Sequence, residues 1–148
     1  MKTIGVFDGQ YAFLSNFFER SIVFEGLTVK TNEHAFQMMK TNNLGERKMI
    51  AFAGTPGKSK RAGRNCTLRP DWEKVKSQVM LNVVRAKFMQ HPDLAAKLIA
   101  TGDAMLIEGN VWHDNTWGNC SCERCKGIQG KNLLGQILMQ VRNELNNA

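Results

Sequence analysis

An α+β fold is the class this chain predicts: a small, mostly antiparallel sheet covered by about five or six helices. Three observations lead there. Stretches of strand character are few and short, and one of them, 21–30 (SIVFEGLTVK), reads as a hairpin. Apolar residues at helical spacing recur in several segments, the longest being 72–90 and 131–146. No repeat or low-complexity run interrupts the 148 residues, of which 43% are hydrophobic, so the chain fits one compact domain with one core.

Taken in order, residues 3–8 (TIGVFD) predict a strand that stops at the turn-prone pair Asp8-Gly9. The aromatic-rich stretch YAFLSNFF follows, too short to specify a helix. The hairpin at 21–30 turns at Glu25-Gly26. A helix then spans 31–44, capped by Thr31 or Asn32 with Glu33 in its first turn, where an acid suits the free backbone N–H groups and the positive end of the dipole. Gly45 marks its stop, and a shorter helix occupies 46–53. Pro56 suits the first turn of another, leading through Lys58, Lys60, Arg61 and Arg64. Asp71 caps a long helix, 72–90, with Trp72, Val75, Val79, Val83 and Ala86 on one apolar face. Pro92 restarts a helix over 93–100, Thr101-Gly102-Asp103 breaks it, and 104–108 reads as a strand. The last helix, 131–146, turns Leu134, Ile137, Leu138 and Val141 inward.

Charge and cysteine usage narrow the setting. Twenty basic against thirteen acidic residues leave a net +7, a field that draws phosphates, nucleotides or nucleic acid. The cations are dispersed rather than striped, which favours a small phosphorylated ligand over a long duplex. No apolar run approaches a membrane span, and the first residues lack a signal-peptide pattern, so a cytoplasmic protein without a membrane partner is expected. There a disulfide scaffold is disfavoured, yet three of the four cysteines crowd into Cys120-Ser121-Cys122-Glu123-Arg124-Cys125. Thiolates at this spacing converge on zinc if Cys66 or His113 supplies a fourth corner. A loop of free, redox-active thiols fits equally.

Four stretches carry side chains with chemistry to offer. Glu33, Gln37 and Lys40 fall at i, i+4 and i+7, so a carboxylate, an amide and an amine share one helix face. Ser15 and Asn16 offer hydrogen bonds to a polar ligand, with aromatic neighbours as a stacking wall. Thr55 at a helix start, followed by four cations, suits a phosphate. The loop 110–119 gathers two indoles, an imidazole and a carboxylate among amides, a composition commoner in sites than in cores.

Eight ordered blocks carry a family resemblance: 11–18 (YAFLSNFF), 33–37 (EHAFQ) with Lys40, Gly63-Arg64, 69–72 (RPDW), 86–88 (AKF), 101–103 (TGD), 114–118 (DNTWG) and 132–139 (NLLGQILM). Together they resemble the NADAR, or YbiA-like, family over nearly the whole chain. The resemblance implies an α+β domain that cleaves N-glycosidic bonds, acting on ribosyl-phosphate pyrimidines of riboflavin synthesis in some relatives and on ADP-ribosylated guanine in others. The family's acid, amine and Asp-x-x-Trp-Gly elements fall on Glu33, Lys40, Asp114 and Trp117, of which Glu33, Lys40 and Asp114 are the catalytic candidates; Ser15, Asn16, Phe17, Arg64, Trp72, Trp117 and Gly118 are the candidate substrate contacts. The implied ligand is a small phosphorylated ribosyl or ADP-ribosyl substrate, free or on ADP-ribosylated nucleic acid. No cofactor is required for the chemistry. The chain departs from the family in its cysteine-rich loop, about 119–130, where simpler relatives carry a short link. A module that binds ADP-ribose or a nucleotide without turnover, and a zinc-supported nucleic-acid binder, are the alternative functions.

Overall fold

The computed structural model describes residues 2–148 and is α+β. Its packing divides the chain into two compact units. Asn16–Gln90 forms one, and the residues before Asn16 join His91–Ala148 in the other.

The 16–90 unit begins with the expected hairpin, β2 (Ile22–Phe24) against β3 (Leu27–Val29), after β1 (Thr3–Ile4) of the other unit. Its two-residue turn puts both Glu25 (φ 48°) and Gly26 (φ 77°) in the left-handed region, the geometry that matches the twist of paired strands. Helix α1 (Asn32–Met38) follows, and every residue in it is buried. Thr31 is the cap: its Oγ1 accepts from the His34 N–H. His34 is held at both ring nitrogens, by the Thr31 hydroxyl at 2.8 Å and the Ala53 carbonyl at 2.8 Å, and burial lowers its pKa. Around α1 pack α2 (Leu44–Ala51), α3 (Pro56–Arg64) and α4 (Trp72–Gln90).

Two expectations change here. The helix predicted over 31–44 ends at Met38, and Lys40 sits in the turn beyond it. Gly45 does not stop a helix; it lies in the first turn of α2, where the Asn43 side chain caps the Glu46 N–H. Helices α3 and α4 match their predicted spans. Thr55 caps α3 with Pro56 at its start, while the Asp71 carboxylate binds Arg69 and its backbone carbonyl accepts from Val75.

In the other unit, residues Gly9–Leu14 form a 3-10 helix, so only the first half of the aromatic stretch, 11–14, is helical, while β1 keeps only two of the residues expected of it. Helix α5 (Pro92–Ala100) packs against α6 (Leu133–Asn146); Leu94 and Leu98 of the first and Leu134, Leu138 and Val141 of the second are buried. Arg142, buried in α6, donates to Thr101 Oγ1 and the Ala104 carbonyl, both at 2.9 Å, fixing the turn that leads into β4 (Met105–Leu106). The strand pairing departs from the antiparallel expectation: β1 runs parallel to β4, and β5 (Gly109–Asn110) runs parallel to β6 (Asn119–Cys120). Only β2 and β3 are antiparallel among the described strands. Among the described residues no helix is long and apolar enough to cross a membrane.

Candidate functional site

In the 16–90 unit the chemistry converges on α1. Glu33 is buried, and its Oε2 accepts a 2.6 Å hydrogen bond from Gln37 Nε2, the i+4 pair read from the sequence. The Glu33 N–H donates to the Asn16 carbonyl. Asn16 is itself buried: its Nδ2 reaches Met80 Sδ and its Oδ1 accepts from Asn32 Nδ2, both at 3.4 Å. Two buried acceptors in this neighbourhood, Asn32 Oδ1 and Gln37 Oε1, have no hydrogen-bond partner among the described residues. An unmet buried acceptor costs about 1–3 kcal/mol, so a donor brought by a ligand would gain there.

Lys40 follows one turn on, and its backbone is fixed from three directions. The Arg69 N–H donates to the Lys40 carbonyl at 2.7 Å, the Arg69 guanidinium to the Met39 carbonyl, and Arg47 to the Thr41 carbonyl through two N–H groups at 3.1 and 2.9 Å. Burial lowers the pKa of the Lys40 amine; Glu33 and Cys66 act to raise it, and Lys60 and Arg64 add to the lowering. The net shift is downward, so more of the amine is neutral than in an ordinary lysine. Arg64, exposed at the end of α3, thus acts on the amine through its charge.

Helix α3 approaches α1 closely at Gly63, where a Cβ would overlap the Gln37 amide oxygen. Gly63→Ala is therefore expected to push the Gln37 side chain off Glu33 and lower turnover by about 10-fold with the fold retained. Steady-state kinetics beside a melting curve would check this. Trp72 is 7% exposed with its ring 5.1 Å from that of Phe36, whereas Phe17 is 46% exposed. Lys87 was missed by sequence reasoning except as part of a family block. It is 2% exposed beneath the Phe18 and Phe88 rings, and burial, with Arg20 adding to it, pulls its amine down to about 7.

The other unit carries the second set. Ser15 ends the 3-10 helix, its N–H bonded to the Ala12 carbonyl. Asp114 closes a tight turn: its Oδ1 accepts from the Thr116 and Trp117 N–H groups at 3.0 and 2.9 Å, and its backbone carbonyl accepts from Asn110 Nδ2. One carboxylate oxygen is thereby committed to holding the loop in shape. Trp117 is half-buried. Gly118 has no room for a side chain, since a Cβ would overlap the Glu108 carboxylate and backbone carbonyl.

Beside this turn, His113, Cys120, Cys122 and Cys125 bring four donor atoms within 4.8 Å of one another. His113 Nδ1 lies 3.2 Å from Cys122 Sγ, 3.5 Å from Cys125 Sγ and 4.0 Å from Cys120 Sγ. Of the two candidates for the fourth corner, Cys66 and His113, it is His113 that lies with the three thiols. Cys66 is not a member of the group, because its thiol sits at the end of α3 and bonds the Gly63 carbonyl. Local geometry decides the choice: His113 at φ 71° lies on the same loop as the three thiols, a turn that spacing alone does not reveal. Burial acts to raise the Cys120 thiol, but hydrogen bonds from Cys122, Cys125 and the His113 N–H outweigh it and bring it down to about 7. The Cys125 thiol is pushed up to about 11, first by its bond to Cys120 and then by burial.

The NADAR domain model matches residues 5–146. N-glycosidase YbiA of Shigella flexneri serotype 5b (strain 8401) is 40% identical over 137 residues, covering 91% of this chain and 82% of that protein. Riboflavin biosynthesis protein VVA0006 of Vibrio vulnificus (strain YJ016) is 34% identical over 140 residues, 93% of this chain but 36% of that longer protein. The NMR structure of the E. coli protein YbiA covers 99% of this chain and 86% of its own, with a TM-score of 0.86 at 37% identity. Fold and relatives define an enzyme of the N-glycosidase class. The chain belongs to the NADAR family.

Proposed function

We propose that this enzyme cleaves the C1′–N bond between a nucleobase-like group and a phosphorylated ribose, the substrate being of the ADP-ribosyl-guanine type or a ribosyl-phosphate aminopyrimidine of the riboflavin pathway. The observation that carries the reading is the partly desolvated Lys40 amine within the field of a buried, Gln37-braced Glu33. The name of the Vibrio relative supports the aminopyrimidine class. A net charge of +7 supports a phosphorylated ligand.

In this mechanism the neutral Lys40 amine attacks C1′, and the C1′–N bond breaks with its electron pair leaving on the base, which takes up a proton. The proton lost from the amine passes to O4′ as the C1′–O4′ bond opens, leaving a protonated Schiff base at C1′. Water adds to C1′ and expels the amine, freeing the sugar and restoring Lys40. Glu33 stabilises the positive charge that develops on the sugar as the base departs. Asp114, a carboxylate, orients ribose hydroxyls or exchanges protons, and the Trp117 indole stacks on the base. Ser15, Asn16, Phe17, Trp72 and Gly118 are the further candidate substrate contacts, and Arg64 is the first candidate for the phosphate. No cofactor enters the bond cleavage. A reducing, cytoplasmic setting fits four free cysteines.

Incubation with ADP-ribosylated guanosine and, separately, with the aminopyrimidine ribosyl phosphates is expected to release a free base from one of them, read by chromatography. Tight binding of ADP-ribose with no base released from either would replace the enzyme reading with a binding module. Glu33→Gln is expected to fold normally and to lose about 10²-fold or more in kcat. A Glu33→Gln protein with wild-type turnover would remove Glu33 from the mechanism.

A further inference from the structure

The geometry points to a structural zinc ion held by His113 Nδ1 and the Sγ atoms of Cys120, Cys122 and Cys125, which locks the Asp114–Trp117 turn from outside it. A tetrahedral zinc with sulfur at about 2.3 Å and nitrogen at about 2.0 Å has N···S edges of about 3.5 Å. The three N···S separations, 3.2, 3.5 and 4.0 Å, bracket that edge. The donor set is also chemically apt, because soft thiolates with one imidazole select zinc over the oxygen-loving cations. Four protein ligands leave no open position, which is the mark of a structural site rather than a catalytic one.

The surrounding bonds are those a metal-bound thiolate requires. Cys120 Sγ accepts from the His113 N–H at 3.3 Å and the Cys122 N–H at 3.5 Å, so its charge is partly met by the backbone. His113 holds a left-handed backbone at φ 71°, a conformation uncommon for a residue with a Cβ and one that a ligand bond would sustain. The cluster is wired to the neighbouring turn. His113 immediately precedes Asp114, the Cys120 N–H donates to Asn115 Oδ1 at 2.9 Å, and the Lys131 N–H donates to the Asn115 carbonyl at 2.8 Å. A zinc ion would therefore close both ends of the segment that presents Asp114 and Trp117. This inference stands apart from the glycosidase mechanism, which needs no metal.

The test uses the full chain and does not depend on activity. Protein purified without chelator is expected to carry about one zinc per chain by elemental analysis. After zinc removal, titration with Co²⁺ is expected to give sulfur-to-cobalt charge-transfer absorption together with the visible bands of a tetrahedral site. His113→Cys should keep these bands and strengthen the charge-transfer part, Cys125→Ser should lose them, and Cys66→Ser should leave them unchanged. Amide hydrogen exchange over 113–120 should quicken on zinc removal while the middle of α4 stays protected. The proposal is overturned if the protein carries no metal and Co²⁺ adds no charge-transfer band. Mass spectrometry showing a disulfide among Cys120, Cys122 and Cys125 in freshly isolated protein would overturn it as well. Unchanged exchange over 113–120 between loaded and stripped protein would overturn the locking role.

Discussion

Lys40→Arg is expected to lose turnover by about 10³-fold or more, while melting within a few degrees of the parent protein. The substitution keeps the positive charge and nearly the length, yet a guanidinium does not deprotonate near neutrality and offers no nucleophilic amine. Borohydride added during turnover should trap a sugar adduct on Lys40 of the wild type, located by peptide mass mapping, and none on the variant. Equal trapping on both proteins would exclude Lys40 as the nucleophile. The pH profile gives an independent reading. Because burial lowers the Lys40 pKa, kcat/KM should rise with pH and level off below the range of an ordinary lysine near 10.5. The signs of two perturbations follow from the charges around it. Arg64→Ala removes a charge that lowers the pKa, so the plateau should move to higher pH. Glu33→Gln removes one that raises it, so the plateau of the residual activity should move to lower pH.

Much of this pair was legible in the sequence, because a helix places i and i+4 together and Glu33 and Gln37 meet as that rule requires. The position of Lys40 was only half legible. Reading a helix on through residue 44 set the amine at i+7 on the same face, but α1 ends at Met38. The reason is tertiary. The carbonyls of Met39, Lys40 and Thr41 find donors in Arg69 and Arg47, so the chain leaves the helix without orphaning them, and a donor some thirty residues away has no local signature. Amphipathic helices α4 and α6 and the Glu25-Gly26 hairpin depend on near neighbours and were read correctly. The parallel pairing of β1 with β4 joins residues about a hundred positions apart through strands of two residues, too short to show any period. The cysteine cluster falls between these cases. Its three thiols were plain from their spacing, whereas the imidazole depended on a left-handed residue at 113, which nothing in the composition of the loop requires. The buried acceptor on Asn32 was invisible for the same kind of reason, since an asparagine at a helix start reads as a cap, and here Thr31 holds that place.

Gly118→Ala tests whether the Asp114–Trp117 turn stands on packing or on its own hydrogen bonds. The backbone at Gly118 is not in the left-handed region, so the demand for glycine there is one of space alone. A Cβ would overlap two parts of Glu108. Its carboxylate can swing away, but its backbone carbonyl accepts the Asn119 N–H at 2.9 Å as part of the pairing between β5 and β6, and it cannot yield without breaking that ladder. Asn110 Nδ2 would lie 2.8 Å from the same Cβ, and that group also bonds the Asp114 carbonyl. Relief by moving the turn would thus strain Asp114, and relief by moving the strand would open the sheet. The expected outcome is a destabilisation of about 3 kcal/mol or more, a fall in Tm on the order of 10 °C. Gly5→Ala serves as the control, since a Cβ there meets nothing within 4 Å. A Gly118→Ala protein that melts with the Gly5→Ala control would mean that the strand pair at 109–110 and 119–120 tolerates displacement, and that the turn stands on its own hydrogen bonds.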